Sequence, residues 1–300
     1  MKHISDTLEF HIDAPSAITL GKFDGLHRGH QLLVSRMLQE CERERLCSVV
    51  FTFDIPPKNL VEGGRVPQLL TREEKAAVFA QKGVDFLIEC PFTPQVRGME
   101  PEDFVKWIAR ELHVNCFVVG DDFHFGRNRR GDGAFLQTYE REFGYRTIIV
   151  PKMKEQDRVI SSSLVRQEIE EGNIEQANLL LGYSYYIEGT VTHGNRLGHS
   201  IGFPTINLLP QPDKLLPPYG VYASRVHLAG EAYRGVTNIG CKPTIAGDNP
   251  VGAETYMLDF DREAYGEPVR VELIRRLRGE HKFENVEQLR AQMMQDVAAL

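Results

Sequence analysis

The sequence predicts an α/β unit built on a parallel sheet, followed by an antiparallel β-sheet or barrel that ends in a helix. Over the first half, apolar runs rich in β-branched residues alternate with helical stretches. Over the second half, strands are punctuated by Gly, Pro and Asn, with no long helices between them. The length, 300 residues, suits about two domains.

Residues 17–20, 47–53, 85–89, 115–120 and 147–150 are short runs of Val, Ile and Phe, the pattern of strands buried on both faces. Helical stretches lie between them at 30–44, 71–81, 101–112 and 133–143, with Thr71 and Glu74 spaced as a capping box. An open sheet of this kind binds its ligands outside the carboxyl ends of its strands. After Ser161 two short helices are expected, split near Gly172 and Asn173 and ended by Gly182. Alternating strands then follow at 185–192, 220–227, 232–239, 253–260 and 268–277. A helix is expected over 286–300, its stripe of Val286, Leu289, Met293, Val297 and Leu300 serving to pack. The domains are read as 1–182 and 183–300.

The chain is 42% hydrophobic and 26% charged, a soluble globular composition with no apolar run near the roughly 20 residues that cross a bilayer. Residues Met1 to Asp6 lack the apolar core of a secretion signal, and five cysteines form no CxxC pair. A cytoplasmic protein with reduced thiols, acting as a monomer or weak homo-oligomer without a membrane partner, is expected. The net charge of −7 disfavours a general nucleic-acid surface but not a nucleotide, which needs only a local set of donors and brings its own Mg²⁺.

One such set is Gly21-Lys22-Phe23-Asp24-Gly25-Leu26-His27-Arg28-Gly29-His30, which joins a predicted strand to a predicted helix. Gly21 and Gly25 permit a tight turn and close backbone approach, and the free N–H groups of the helix start suit a phosphate. His27 and His30, three apart, share a face and can donate to phosphate oxygens whose charge grows during transfer. Further along come Val119-Gly120-Asp121-Asp122-Phe123-His124-Phe125-Gly126-Arg127 and Ile160-Ser161-Ser162-Ser163-Leu164-Val165-Arg166. In the second half, Gly198 and Gly202 flank a glycine-rich stretch leading to Phe203-Pro204-Thr205-Ile206-Asn207. Thr205 and Asn207 alternate on a strand, so a hydroxyl and an amide carbonyl face one way and suit a Mg²⁺ carried by ATP. Ala253-Glu254-Thr255-Tyr256 adds a carboxylate.

The first string resembles the HxGH nucleotidyltransferases, with a Rossmann-like parallel sheet. Its fuller form is similar to the FAD synthetase module of bacterial bifunctional riboflavin kinase/FMN adenylyltransferases. The Gly202–Asn207 segment and Glu254 resemble that family's riboflavin kinase barrel, so the likeness covers nearly the whole chain. It implies phosphorylation of riboflavin to FMN by ATP, then adenylyl transfer from a second ATP to FMN, giving FAD and pyrophosphate, with Mg²⁺. It also implies catalytic roles for Glu254 as base and for His27, His30, Ser162 and Arg166 around the departing pyrophosphate. ATP contacts are implied for Gly21, Phe23, Asp24, Gly25, Ser161, Ser163, Gly198, Gly202, Thr205 and Asn207, with the metal at the last two. Flavin contacts are implied for Asp122, Phe123, Arg127 and Asn238. Three departures stand out. Ile55-Pro56-Pro57 lacks the family's usual histidine, and His199 and Tyr183 replace usual arginines. These departures leave room for a chain keeping adenylyl transfer alone, and a separate reading is a flavin-binding regulatory protein without turnover.

Overall fold

Residues Ser16–Leu20 are buried at every position, as expected of a strand covered on both faces, and they lie in the middle of the first sheet. The computed structural model describes residues 1–54, 67–193, 202–241 and 251–300. Contacts divide the chain into two units, residues 1–66 with 72–161 and residues 67–71 with 162–300.

The first unit contains β1 (Lys2–Ser5), β2 (Ser16–Leu20), α1 (Arg28–Glu44), β3 (Cys47–Phe53), α2 (Arg72–Gln81), β4 (Phe86–Cys90), α3 (Pro94–Gly98), α4 (Pro101–Glu111) and β5 (Val114–Gly120). A hairpin follows, β6 (His124–Phe125) and β7 (Gly131–Asp132), then α5 (Gly133–Thr138), α6 (Glu140–Phe143), β8 (Arg146–Val150), and a second hairpin of β9 (Lys154–Glu155) and β10 (Arg158–Val159). The main sheet has six parallel strands in the order β1-β4-β3-β2-β5-β8. Ile18, Val49, Phe51, Phe117 and Val119 on its strands pack with Phe104 and Ile108 of α4. That helix opens with Pro101, Glu102 and Asp103, residues favoured in a first turn by the missing N–H and the macrodipole. The ends of β2 and β5 run directly into the Gly21 and Asp121 segments, so both motifs emerge at the same edge of the parallel sheet.

Strand β1 and the helix over 133–143 differ from expectation in instructive ways. Strand β1 carries almost no apolar pattern. It joins the sheet edge through backbone pairing with β4 and through His3, which lies 2.9 Å from Glu89. Glu89 is only 1% exposed, with Arg72 Nε at 2.7 Å and Lys75 Nζ at 3.2 Å. Burial pushes its carboxyl up, but the two cations prevail and hold it below the usual carboxylate range. The single helix expected over 133–143 is two short ones, interrupted at Tyr139, whose φ of −103° and ψ of 4° are not helical.

The second unit opens with α7 (Ser162–Glu171) and α8 (Ile174–Leu181), and Gly182 closes the latter in the left-handed region at φ 76°. Strands β11 (Tyr186–Thr192), β12 (Thr205–Leu208), β13 (Gly220–Leu228), β14 (Glu231–Cys241), β15 (Val251–Met257) and β16 (Pro268–Gly279) close an antiparallel barrel in the order β11-β12-β15-β14-β13-β16. Closure leaves no free strand edge. A final helix, α9, spans Val286–Ala298. No helix among the described residues is long and apolar enough to cross a membrane.

The apolar stripe expected to pack α9 does so only in part. Val286 is 49% exposed, and the helix's single buried residue is Asp296, at 4%. Arg278 of β16 grips that carboxylate, with Nη2 at 2.9 Å and Nε at 3.1 Å. An ion pair therefore ties the terminal helix to β16 alongside the half-buried Leu289, Met293 and Val297. Replacing Asp296 by Ala leaves Arg278 without its partner. The expected loss is about 1–3 kcal/mol of barrel stability, below the cost of breaking a fully buried pair because Arg278 is partly solvated. Denaturant unfolding of Asp296→Ala against wild type measures it; an unchanged midpoint would mean that the apolar contacts suffice.

Candidate functional sites

The turn between β2 and α1 is strained in a way the sequence only hinted at. Gly25 has φ 74°, but the non-glycine residues Phe23 (φ 47°) and Leu26 (φ 36°) are left-handed too. Burial holds both in place, since each is 0% exposed. Phe23 stands edge-on to His30, with ring centroids 5.2 Å apart, and to Phe79 at 5.6 Å. Its side chain therefore offers no surface to a ligand, and only its backbone remains for contact. Gly21 is needed for a different reason from Gly25. A Cβ there would lie 3.1 Å from the Phe23 ring.

His27 is the N-cap of α1, and its Nδ1 accepts the backbone N–H of His30 at 3.3 Å. An accepting Nδ1 carries no proton, so in the neutral ring the proton resides on Nε2, which becomes a donor. Burial lowers the His27 pKa to about 4, although the Asp122 charge opposes the shift. His30, stacked on His27 with centroids 3.7 Å apart, is pushed well below the usual histidine value by burial and then by its neighbour. Both rings are thus neutral near pH 7. His30 Nδ1 is buried and has no hydrogen-bond partner among the described residues. Gly29 completes the arrangement, because a Cβ would press within 3.3 Å of the His27 ring.

The other expected residues of this unit surround the turn unequally. Asp122 is exposed, 3.2 Å from Lys152 Nζ, and its charge is felt at His27. Phe123 stacks on Phe125 at 5.5 Å. Arg127 lies exposed in the hairpin turn, and with Arg130 it holds the Glu100 carboxylate at 3.3 Å. A flavin phosphate using Arg127 must share or displace that carboxylate. Asp24 follows Phe23 in a short 3₁₀ turn. Ser161 ends the first unit, and the preceding carbonyl, of Ile160, would lie 3.9 Å from a Cβ on Gly29. Ser162, Ser163 and Arg166 begin α7 in the second unit, where Arg166 Nη1 donates to the Pro67 carbonyl at 2.6 Å.

On the barrel, three strands bring polar residues into one row. Asn207 on β12 pairs with Glu254 on β15, which pairs with Asn238 on β14. Directly opposed residues share a face. The adjacent row, Ile206, Thr255, Thr237 and Tyr222, points the other way into the barrel, where Thr237 bonds Ser224 at 2.8 Å and Thr255 at 2.9 Å. Asn207, Glu254 and Asn238 therefore lie on the outer face. Thr205, on the same face of β12, donates its hydroxyl to Glu254 Oε1 at 2.6 Å. Gly202 leads into this strand at φ 84°, a left-handed conformation suited to glycine. Gly198 lies outside the described residues, as do His199 and the Ile55-Pro56-Pro57 stretch.

The hydroxyl and amide oxygens of Thr205 and Asn207 are hard ligands. A magnesium arriving with a nucleotide takes few protein oxygens beside phosphate and water, so this pair fits such an ion. Sequence reasoning missed the His27 cap, the burial of Phe23 and the inner hydroxyl row. The cap alone had a legible signal, a hydrogen-bonding side chain three residues before His30.

Comparison with known proteins matches each half of the chain to a known module. A model described as FAD synthetase matches residues 9–164, and one described as riboflavin kinase matches residues 181–300. The bifunctional riboflavin kinase/FMN adenylyltransferase of Listeria monocytogenes is 37% identical over 95% of this chain and 91% of its own length. That of Escherichia coli K12 is 36% identical over 93% and 90%. A solved structure from Streptococcus pneumoniae, described as a macrolide-efflux protein, superposes with a TM-score of 0.90 at 30% identity, covering 99% of this chain and 97% of the other. On the strength of two matched modules and full-length relatives, the chain belongs to the family of bifunctional riboflavin kinase/FMN adenylyltransferases.

Proposed function

We propose that the His27–His30 turn is the adenylyl-transfer site of this riboflavin kinase/FMN adenylyltransferase, and that the Asn207–Glu254–Asn238 row with Thr205 is its kinase site. The observation that carries the kinase assignment is the 2.6 Å bond from Thr205 to Glu254. It holds one carboxylate oxygen and leaves the other for a substrate hydroxyl. In this reading Glu254 takes the proton of the riboflavin hydroxyl as that oxygen accepts the γ-phosphoryl group of Mg-ATP, and ADP leaves. Thr205 and Asn207 hold the magnesium of that nucleotide, with Gly198 and Gly202 close to its phosphates and Asn238 beside the flavin.

In the first unit an FMN phosphate oxygen attacks the α-phosphorus of a second ATP, and pyrophosphate leaves. No side-chain nucleophile is required, because FMN already carries the anion. His27 and His30 act as neutral donors to the developing charge, and the Gly21–Gly25 turn offers its backbone. We assign Ser161, Ser162, Ser163 and Arg166 to the departing pyrophosphate, and Asp122, Phe123 and Arg127 to the flavin side. The modules are taken to meet at residues 182 and 183, supported by the riboflavin kinase match that starts at 181. The enzyme is taken to work in the cytoplasm on small molecules, as a monomer or weak homo-oligomer.

Two substitutions separate the steps when flavins are resolved by chromatography after incubation with riboflavin, ATP and Mg²⁺. Glu254→Gln should slow FMN formation by about 10²–10⁴ while supplied FMN still becomes FAD, the scale for loss of a general base. Full kinase rate in that variant would remove Glu254 from the chemistry. His30→Ala should leave FMN accumulating and reduce FAD formation by about 10²–10³, the cost of one donor at a developing charge. Undiminished FAD formation would place adenylyl transfer elsewhere.

A further inference from the structure

The segment between β8 and Ser161 has no role above, yet it touches every motif of the adenylyl-transfer unit. Lys152 donates its backbone N–H to Asp121 Oδ2 at 3.2 Å, and its ammonium lies 3.2 Å from Asp122. Strands β9 and β10 pair Lys154 with Val159 and Glu155 with Arg158. Their turn, Gln156 (φ 46°) and Asp157 (φ 65°), is left-handed at two successive non-glycine residues, the conformation that suits a tight two-residue hairpin. The Ile160 N–H then donates to the Met153 carbonyl at 2.9 Å, which delivers the chain to Ser161. From β9, Glu155 Oε2 reaches Arg28 Nη1 at 2.5 Å, with both side chains partly shielded.

Arg28 stands between His27 and Gly29 at the first position of α1, where the macrodipole disfavours a cation. The first turn of the helix contains no acid to offset it. Neutralisation comes instead from the hairpin, 127 residues away in sequence. A partly exposed pair contributes little to stability. Its consequence is positional, because it ties the hairpin that ends at Ser161 to the turn that carries the histidines.

We infer that Glu155 is a positioning residue for adenylyl transfer. Through Arg28 it sets where the chain enters Ser161 relative to His27 and His30, an inference that rests on reading that turn as the adenylyl-transfer site. Glu155→Gln removes the charge and keeps the shape. In the full-length enzyme its kcat for FMN adenylylation should fall between about tenfold and about a hundredfold, the cost of a small misplacement. KM for ATP should stay within about twofold, since ground-state binding is untouched. The riboflavin kinase rate should be unchanged, and Glu155→Asp should be faster than Glu155→Gln. An unchanged kcat overturns the inference, and so do equal rates for the Asp and Gln variants. A lower KM for ATP at full kcat also overturns it, because Glu155 would then merely restrain a phosphate-binding Arg28. His30→Ala run alongside separates the two levels. Wild-type FAD formation in that variant sinks the site itself, whereas its loss with full activity in Glu155→Gln sinks only the inference.

Discussion

His27 closes a strained turn and opens a helix with a single ring nitrogen. Because Nδ1 accepts the His30 N–H, the ring is pinned in one orientation and its free proton is placed on Nε2. The surrounding residues serve that placement. Gly29 leaves room for the ring, Phe23 backs His30, and Gly21 leaves room for Phe23. Burial then keeps both imidazoles uncharged. A neutral pair costs less to keep buried than two cations would. The left-handed Phe23 and Leu26 show that backbone strain is accepted to build this geometry, as is common where function requires it.

The barrel solves a related problem with different means. Its inner row of Thr237, Ser224 and Thr255 satisfies its own hydroxyls, and the polar side chains of the adjacent row lie on the other face of the sheet. Strand pairing alone aligns Asn207, Glu254 and Asn238, so the register of three strands sets this row. A one-residue slip would turn these side chains into the core. Transfer of charged phosphoryl groups relies mainly on positioning and electrostatics, and a closed barrel provides a rigid base for both.

The parallel sheet and the barrel strands were legible because their signals are local: buried apolar runs, alternation, and glycines at strand ends. What escaped depends on distant partners. Strand β1 is held by pairing with β4 and by Glu89, not by its own pattern. The terminal helix was read from an apolar stripe that is half-buried, but its ion pair was not foreseen, since nothing in the helix reveals that Arg278 lies on β16. Phe23 looked like part of a binding string, and only its neighbours show it to be packing. Likewise Arg28 and Glu155 are unremarkable until folding brings them together.

The protonation of His27 decides whether its Nε2 can donate, and nitrogen-15 NMR of its imidazole measures that directly. The spectrum should show a neutral ring with the proton on Nε2 from pH 8 down past 6, titrating only near pH 4. A proton on Nδ1, or a titration at the ordinary histidine value near 6.5, would contradict the cap and the donor role built on it.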